Sequence, residues 1–142
     1  MLVRNSRNNL WTRMQEWDYF LGIASVKRMQ GLYQGTLVAQ GAFSLYRTEA
    51  LLELGGWPDA IGEDIVLTWQ LMRHGARVYY EPSAVAFTAT PNRLVHLARQ
   101  RARWARGMVE GIRSVRPYQI RMSPIAVVGY GQELLGLRRR WK

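Results

Sequence analysis

The most diagnostic segment of the chain runs from Gly62 to Gly75 and reads GEDIVLTWQLMRHG. Two adjacent carboxylates, Glu63 and Asp64, precede a largely apolar run, and a glycine follows that run. Acidic residues in the first turn and a glycine just after the last turn are typical of an α-helix. The segment therefore predicts a helix from about Glu63 to His74 that ends at Gly75.

The segments on either side of this helix predict further helices and strands. Near the N-terminus, apolar residues recur at the spacing of one face of an amphipathic helix, at Leu10, Met14, Trp17 and Leu21. In all, the predicted helices are about 9–30, 48–54, 63–74 and 90–113, and the predicted strands are 36–46, 77–80 and 84–88. This alternation of helices and strands indicates an α/β fold.

Length, composition and charge limit the class of protein. The chain has 142 residues, of which 48% are hydrophobic, so it is long enough for one domain with a buried core. It has no cysteine, which excludes a disulfide framework and a thiolate metal site. Its net charge of +10 favours a nucleic acid, an anionic membrane surface or a phosphorylated ligand as partner. No apolar run reaches the roughly 18 residues that a transmembrane helix needs.

The carboxylate pair Glu63-Asp64 has two interpretations. Carboxylates in the first turn are favoured by the helix macrodipole without any role in catalysis. Alternatively, Asp64 is a general base that deprotonates an acceptor hydroxyl as the hydroxyl attacks the anomeric carbon of a sugar. Glu63 would then orient a neighbouring group or bind the acceptor.

A second motif, Gln100-Arg101-Ala102-Arg103-Trp104, lies on the last predicted helix. Because helix neighbours are three and four residues apart, Gln100, Arg103 and Trp104 share one face. Arg101 lies about 100° away from Gln100 around the axis. One interpretation is a solvated basic face with Trp104 in the core. The other is a site in which Trp104 stacks on a sugar ring and an arginine neutralises a leaving diphosphate.

In order and spacing, these motifs resemble the processive family 2 glycosyltransferases, which include poly-N-acetylglucosamine, cellulose and hyaluronan synthases. The resemblance runs from about Asn9 to Arg113. Its motifs are Gly41-Ala42-Phe43, Tyr46-Arg47, Gly55-Gly56-Trp57, Glu63-Asp64-Ile65, Leu67-Thr68, Gly75, Tyr80-Glu81-Pro82, Pro91 and Gln100 to Trp104. The chain departs from the family at Gly62, where the family usually has threonine.

The resemblance implies a role for each matching residue. Asp64 corresponds to the catalytic base of the family. The other implied site residues are Glu63 and Trp104 for the acceptor, and Gln100, Arg101 and Arg103 for the donor diphosphate.

The resemblance also implies a partial GT-A-like fold. Residues 1–116 would form its acceptor-side half and end in a basic amphipathic helix, and residues 117–142 would form a juxtamembrane or interfacial tail. The family holds a metal through an Asp-x-Asp motif, but the aspartates here are Asp18, Asp59 and Asp64. We therefore expect Mg²⁺ or Mn²⁺ in the intact enzyme, with its ligands outside this chain and no metal-binding residue within it.

The implied function is transfer of a sugar from a UDP-sugar to a growing β-linked polysaccharide, with inversion, at the cytoplasmic face of the inner membrane. N-acetylglucosamine is the first choice of sugar, an anionic membrane surface is an expected partner, and nucleic acid is not. On this interpretation the chain by itself is inactive. The alternative is a non-catalytic basic module that binds a membrane surface or a nucleic acid. The sequence leaves the sugar, the linkage and the oligomeric state open.

Overall fold

The computed structural model describes residues 1–33 and 35–115, and most of this part of the chain is helical. The helices are α1 (Leu10–Tyr19), a π-helical segment (Phe20–Ser25), α2 (Val26–Tyr33), α3 (Thr48–Glu53), α4 (Glu63–Arg73) and α5 (Leu94–Ser114). The strands are β1 (Leu2–Val3) and β2 (Phe87–Thr88). The predicted tail, residues 117–142, lies outside the described residues.

The four predicted helices are present, and the first is interrupted by the π-helical segment. Asn9 begins α1 with a capping box, in which its Oδ1 accepts from the Thr12 amide at 3.0 Å. The Thr12 hydroxyl in turn accepts from the Asn9 amide at 3.1 Å. After α4 the chain turns at Gly75, whose φ of 86° is in the left-handed region that favours glycine. The prediction for α4 is therefore confirmed at both ends.

The long helix α5 begins at Leu94, later than the sequence predicts. Side-chain amides from the N-terminal region donate instead to three consecutive carbonyl groups: Asn5 to Thr90 at 2.8 Å, Gln15 to Pro91 at 2.7 Å and Asn9 to Asn92 at 2.8 Å. Carbonyl groups held in this way need no helical partner, because their hydrogen bonds are already made. The prediction of a start at Thr90-Pro91 is therefore wrong, and this segment joins α1 to α5.

The strand predictions are largely wrong. Within residues 1–33 and 35–115, the sheet consists of β1 and β2, which pair in parallel with Leu2 opposite Phe87 and Val3 opposite Thr88. The predicted strands 36–46 and 77–80 lie outside it and are joined by a backbone bond from the Thr36 amide to the Val78 carbonyl at 3.0 Å. The described part is therefore a helix-rich α/β arrangement with a short parallel sheet.

Helix α4 is the most deeply buried element. Its residues from Ile65 to Trp69 are all buried, and Leu67 is fully enclosed. The indole nitrogen of Trp69 donates to the Leu37 carbonyl at 3.0 Å, which ties α4 to the segment before α3. The main apolar cluster is formed by Ile65, Trp69, Met72 and Val115, with Leu37, Val38, Val78 and Met108 packed against it. Burial on this scale gives the carboxylates at the start of α4 a rigid support.

In the N-terminal helix, the face that the sequence predicts to be buried is exposed. Its predicted core face is exposed, at Leu10, Met14, Trp17 and Leu21, and Trp17 is 64% exposed. The buried residues are mostly polar and include Thr12, Gln15, Lys27 and Gln30. Other segments bind several of them: the Lys27 ammonium donates to the Thr36 hydroxyl at 2.8 Å, and the Gln15 amide nitrogen donates to the Pro91 carbonyl at 2.7 Å, while Gln15 Oε1 is buried without a partner. Together with the packing of Tyr19 and Ile23 against Val3, these bonds decide which face of this segment is buried.

Helix α5 is attached through its glycines. Gly107 and Gly111 are its buried residues, whereas exposed positions carry both arginines and apolar side chains such as Leu94 and Val109. Within the described residues, no helix combines the length and apolar character that a membrane span needs.

Candidate active site

The carboxylate pair begins α4, and the side chain of Asp64 is held by two backbone amides. Its Oδ1 accepts from the Ile65 amide at 2.9 Å, and its Oδ2 accepts from the Gly41 amide at 3.2 Å. A carboxylate oxygen has two lone pairs, so each oxygen can accept one further hydrogen bond. Asp64 is therefore oriented and still able to accept a proton from a hydroxyl.

The loop that supplies the Gly41 amide lies directly against the carboxylates. A Cβ atom on Gly41 would lie 3.3 Å from Glu63 Oε1 and 3.7 Å from the Asp64 Cβ, so a side chain here would crowd the pair. The Thr68 hydroxyl donates to the Asp64 carbonyl at 2.6 Å and accepts from the Ala39 amide at 3.0 Å. Thr68 thus fastens this loop to α4.

Tyr46 borders the same loop. Its hydroxyl donates to the Ala39 carbonyl at 3.1 Å, and its ring meets the Trp57 ring edge-on, with centroids 5.2 Å apart at 80°. Burial raises the pKa of the Tyr46 phenol, and the negative charge of Asp64 raises it further. The phenol is therefore a neutral hydrogen-bond donor beside the carboxylate pair.

The start of α4 packs against α5 at a pair of glycines. A Cβ on Gly62 would lie 2.6 Å from the Gly107 carbonyl oxygen, and a Cβ on Gly107 would lie 2.8 Å from the Gly62 Cα. One turn further along α5, a Cβ on Gly111 would lie 2.6 Å from Ile65 Cγ2. This close contact explains the glycine at position 62, since a threonine there would overlap with the backbone of α5.

Glu110 on α5 binds the backbone just before α4. Its Oε2 accepts from the Ile61 amide at 2.7 Å and from the Gly62 amide at 3.3 Å. Gly62 is the N-cap residue of α4 and makes no side-chain capping bond. A carboxylate from the neighbouring helix thus binds the amides of the two residues just before α4, whereas the Ile65 amide in the first turn is bonded by Asp64 Oδ1.

The Gln100–Trp104 motif lies on the side of α5 that meets α4. Gln100, Arg103 and Trp104 precede Gly107 by three to seven residues on the same face, which is about 5–10 Å along the axis. Arg103 is exposed, and the Oε1 atom of Gln100 is buried without a hydrogen-bond partner. Among the described residues, no hydrogen bond or ion pair joins Glu63 or Asp64 to this motif. The two groups are connected through the glycine contact and the hydrogen bonds of Glu110 to the start of α4.

Two members of the motif bind α1. The Arg101 guanidinium forms an ion pair with the Asp18 carboxylate and lies 4.5 Å from the centre of the Trp104 ring. The Tyr19 ring stacks on Trp104 with centroids 6.4 Å apart. Burial raises the pKa of Tyr19, an effect that the charge of Arg101 opposes. In this arrangement Arg101 braces Trp104 against α1, while Trp104 stays 40% exposed.

A cleft of about 500 Å³ adjoins the loop on which Gly41 lies. Gln40 and Tyr46 belong to its lining, as do the cationic side chains Lys27, Arg47 and Arg77, whereas Asp64 does not. In the part of the chain that the structure describes, no group of three or more His, Cys, Asp or Glu side chains is placed to hold a metal ion.

Three residues that shape this site are absent from the predicted site residues: Gly41 and Thr68, which belong to the family motifs, and Glu110, which belongs to none of them. Thr68 has a recognisable local signal, because a threonine four residues after Asp64 can bond to that residue's helical carbonyl. Glu110 has none, since its partners lie 48 and 49 residues away.

Comparisons with known proteins agree on one family. A family model described as glycosyl transferase family group 2 matches residues 1–139. The poly-beta-1,6-N-acetyl-D-glucosamine synthase of Staphylococcus aureus strain COL is 35% identical over 106 residues, which cover 74% of this chain and 26% of that protein. The synthase of the same name from Staphylococcus epidermidis is 33% identical over the same coverage. The chain thus spans about a quarter of the length of these curated relatives. No solved structure matches the chain.

Proposed function

The chain belongs to glycosyl transferase family group 2, and from this membership we propose that its protein is a glycosyltransferase that extends a β-linked polysaccharide. We propose N-acetylglucosamine as the transferred sugar and its UDP derivative as the donor. The similarity to two poly-beta-1,6-N-acetyl-D-glucosamine synthases supports this choice of sugar. Family membership favours this function over a non-catalytic basic module.

The observation that carries the proposal is the oriented carboxylate of Asp64 at the start of α4. In the proposed reaction Asp64 takes the proton of an acceptor hydroxyl. The hydroxyl oxygen forms a bond to the anomeric carbon while the bond from that carbon to the diphosphate breaks, and UDP leaves. Because the attack is a direct displacement, the configuration at the anomeric carbon inverts.

The neighbouring side chains have complementary proposed roles. Glu63 and Trp104 bind the acceptor, and the partly exposed Trp104 ring offers a face for a sugar. Gln100, Arg101 and Arg103 bind the donor diphosphate. Arg103 is the best placed of the two arginines, because it is exposed whereas Arg101 is paired with Asp18. Cations positioned where charge develops on a leaving diphosphate lower the barrier to reaction.

In this proposal residues 1–116 form the acceptor-side part of a GT-A-like domain, and 117–142 form a juxtamembrane or interfacial tail. A divalent ion, Mg²⁺ or Mn²⁺, is proposed for the whole enzyme. The described residues do not provide a ligand set for it, and no step above depends on it.

We also propose that the protein works at the cytoplasmic face of the membrane, with anionic lipid as a partner of α5. Exposed apolar residues and arginines occur together on this helix, at Leu94, Val95, Val109 and Ile112 and at Arg93, Arg99, Arg106 and Arg113. That combination suits a basic amphipathic helix at a lipid headgroup surface.

The test is substitution of Asp64 by asparagine in the full-length protein, with Asp59→Asn as the matched control. Asp59 is an exposed carboxylate in the loop before α4. Loss of a general base predicts a fall of about 10²–10⁴-fold in incorporation of labelled UDP-N-acetylglucosamine into polymer. The control should keep normal synthesis. Normal polymer synthesis by Asp64→Asn at equal protein level would refute the assignment of the base.

A second pair of variants tests the donor side. Arg103→Ala should reduce synthesis, whereas Arg13→Ala, which removes an exposed arginine on α1, should not. Equal effects of the two substitutions would show that the general positive charge of the protein matters rather than a specific site.

A further inference from the structure

We propose that Glu110 is a positioning residue that fixes the start of α4 against α5 and thereby sets the place of Asp64 relative to Gln100, Arg103 and Trp104. This inference rests on the proposed function, in which Asp64 is the base and the α5 residues bind the donor diphosphate and the acceptor.

The geometry at Glu110 is that of a cap provided by a neighbouring helix. One carboxylate oxygen accepts from two successive backbone amides, those of Ile61 at 2.7 Å and Gly62 at 3.3 Å. A carboxylate near the N-terminus of a helix is favoured by the unpaired amides and by the macrodipole. Charged acceptors also make stronger hydrogen bonds than neutral ones. Glu110 therefore stabilises one particular position of the α4 start.

The hydrogen bonds of Glu110 add direction to a close contact. Gly62 has no side chain, and its contact with Gly107 is backbone against backbone. One turn further along α5 the Ile65 side chain packs against Gly111. Both are van der Waals contacts, which are less directional than hydrogen bonds. Glu110 lies one turn from Gly107 on α5, so its hydrogen bonds act where the helices touch.

The amides that Glu110 binds are close to Asp64 in the chain. Asp64 follows Gly62 by two residues in the same first turn, so a shift of the capped amides moves the carboxylate with them. A displacement of about 1 Å at a reacting group can reduce the rate by about 10²-fold. Removal of Glu110 should therefore reduce kcat more than it raises KM for the donor, because the donor side on α5 is left in place.

The experiment measures kcat and KM of the full-length protein with UDP-N-acetylglucosamine for Glu110→Ala and Glu110→Gln, with Glu53→Ala as control. Glu53 is an exposed acid on α3. We expect Glu110→Ala to lower kcat about 10–100-fold. Glu110→Gln should recover part of the loss, since its amide oxygen can still accept both bonds. A purely structural role predicts equal kcat per folded molecule for all three variants, and that result would overturn the proposal.

A readout that does not depend on activity separates this inference from the proposed function. Amide hydrogen exchange at Ile61 and Gly62 in the 142-residue chain should accelerate at least several-fold in Glu110→Ala and less in Glu110→Gln. Unchanged exchange would refute the cap whatever the kinetics show. A different outcome is possible, in which Asp64→Asn keeps full activity while amide exchange in Glu110→Ala accelerates as expected. The exchange result would then confirm the hydrogen bonds of Glu110. The kinetic result would refute both Asp64 as the base and the positioning role of Glu110.

Discussion

The contact between α4 and α5 predicts that Gly107→Ala destabilises the protein. The added Cβ would lie 2.8 Å from the Gly62 Cα and 3.1 Å from the Gly62 nitrogen. Carbon atoms pack at about 3.5–4.0 Å, so the helices would have to separate by roughly 1 Å. Overpacking of this kind costs about 1–3 kcal/mol. The same movement would lengthen the hydrogen bonds from Ile61 and Gly62 to Glu110, so it adds to the loss.

Part of this loss is offset by helix propensity. Alanine in a helix interior is more stable than glycine by about 0.5–1 kcal/mol, which leaves a net destabilisation of up to about 2.5 kcal/mol, with a central value of about 1 kcal/mol. Gly31→Ala is the matched control, because Gly31 is in α2 and a Cβ there would meet nothing within 4 Å. The control should gain about 0.5–1 kcal/mol by the propensity effect alone.

Urea denaturation of the purified 142-residue chain, followed by far-UV circular dichroism, measures both effects. With a typical slope of about 1–3 kcal/mol per molar urea, a loss of about 1 kcal/mol lowers the unfolding midpoint of Gly107→Ala by about 0.3–1 M. The Gly31→Ala midpoint should move upward. A Gly107→Ala variant as stable as Gly31→Ala would refute the steric reasoning, because it would show that the helices have room at this contact.

Three further predictions concern single side chains. Burial raises the pKa of Tyr46 above the ordinary value of 10.0, so its stabilising contribution is complete below about pH 10 and is lost as the pH rises further. Tyr46→Phe should therefore flatten the decline in folding stability above about pH 10, and an unchanged decline would contradict this. Trp69→Phe removes the donor to the carbonyl of the half-buried Leu37 and should cost about 1–3 kcal/mol by urea denaturation, whereas a cost below about 0.5 kcal/mol would mean that water replaces the bond. Asp18→Asn breaks the ion pair between Asp18 and Arg101, whose side chains are 53% and 37% exposed, so we expect the free energy of unfolding to fall by at most about 1 kcal/mol. A larger fall would show that the contact of Trp104 with α1 depends on this ion pair.

Local sequence was sufficient for the helices and for the family. Helix α4 follows from an acidic first turn, a run of apolar residues and a glycine that turns the chain at its end. These features depend on residues close together in the chain, so they can be recognised from the sequence. The order and spacing of the Glu63-Asp64 and Gln100–Trp104 motifs likewise predicted the family that the comparisons confirm. The roles of the individual residues in these motifs remain predictions.

Only the tertiary structure decided how these elements meet. The apolar stripe that includes Trp17 is exposed, because buried polar residues such as Gln15 bond to backbone 76 residues away. The predicted strands 36–46 and 77–80 lie outside the sheet of the described chain, and no local pattern reveals that. In the same way Glu110 reaches amides 48 residues earlier across a contact of two glycines. Bonds and close contacts between distant residues depend on the path of the whole chain, and they place Asp64 beside α5 where its sequence alone could only predict a helix start.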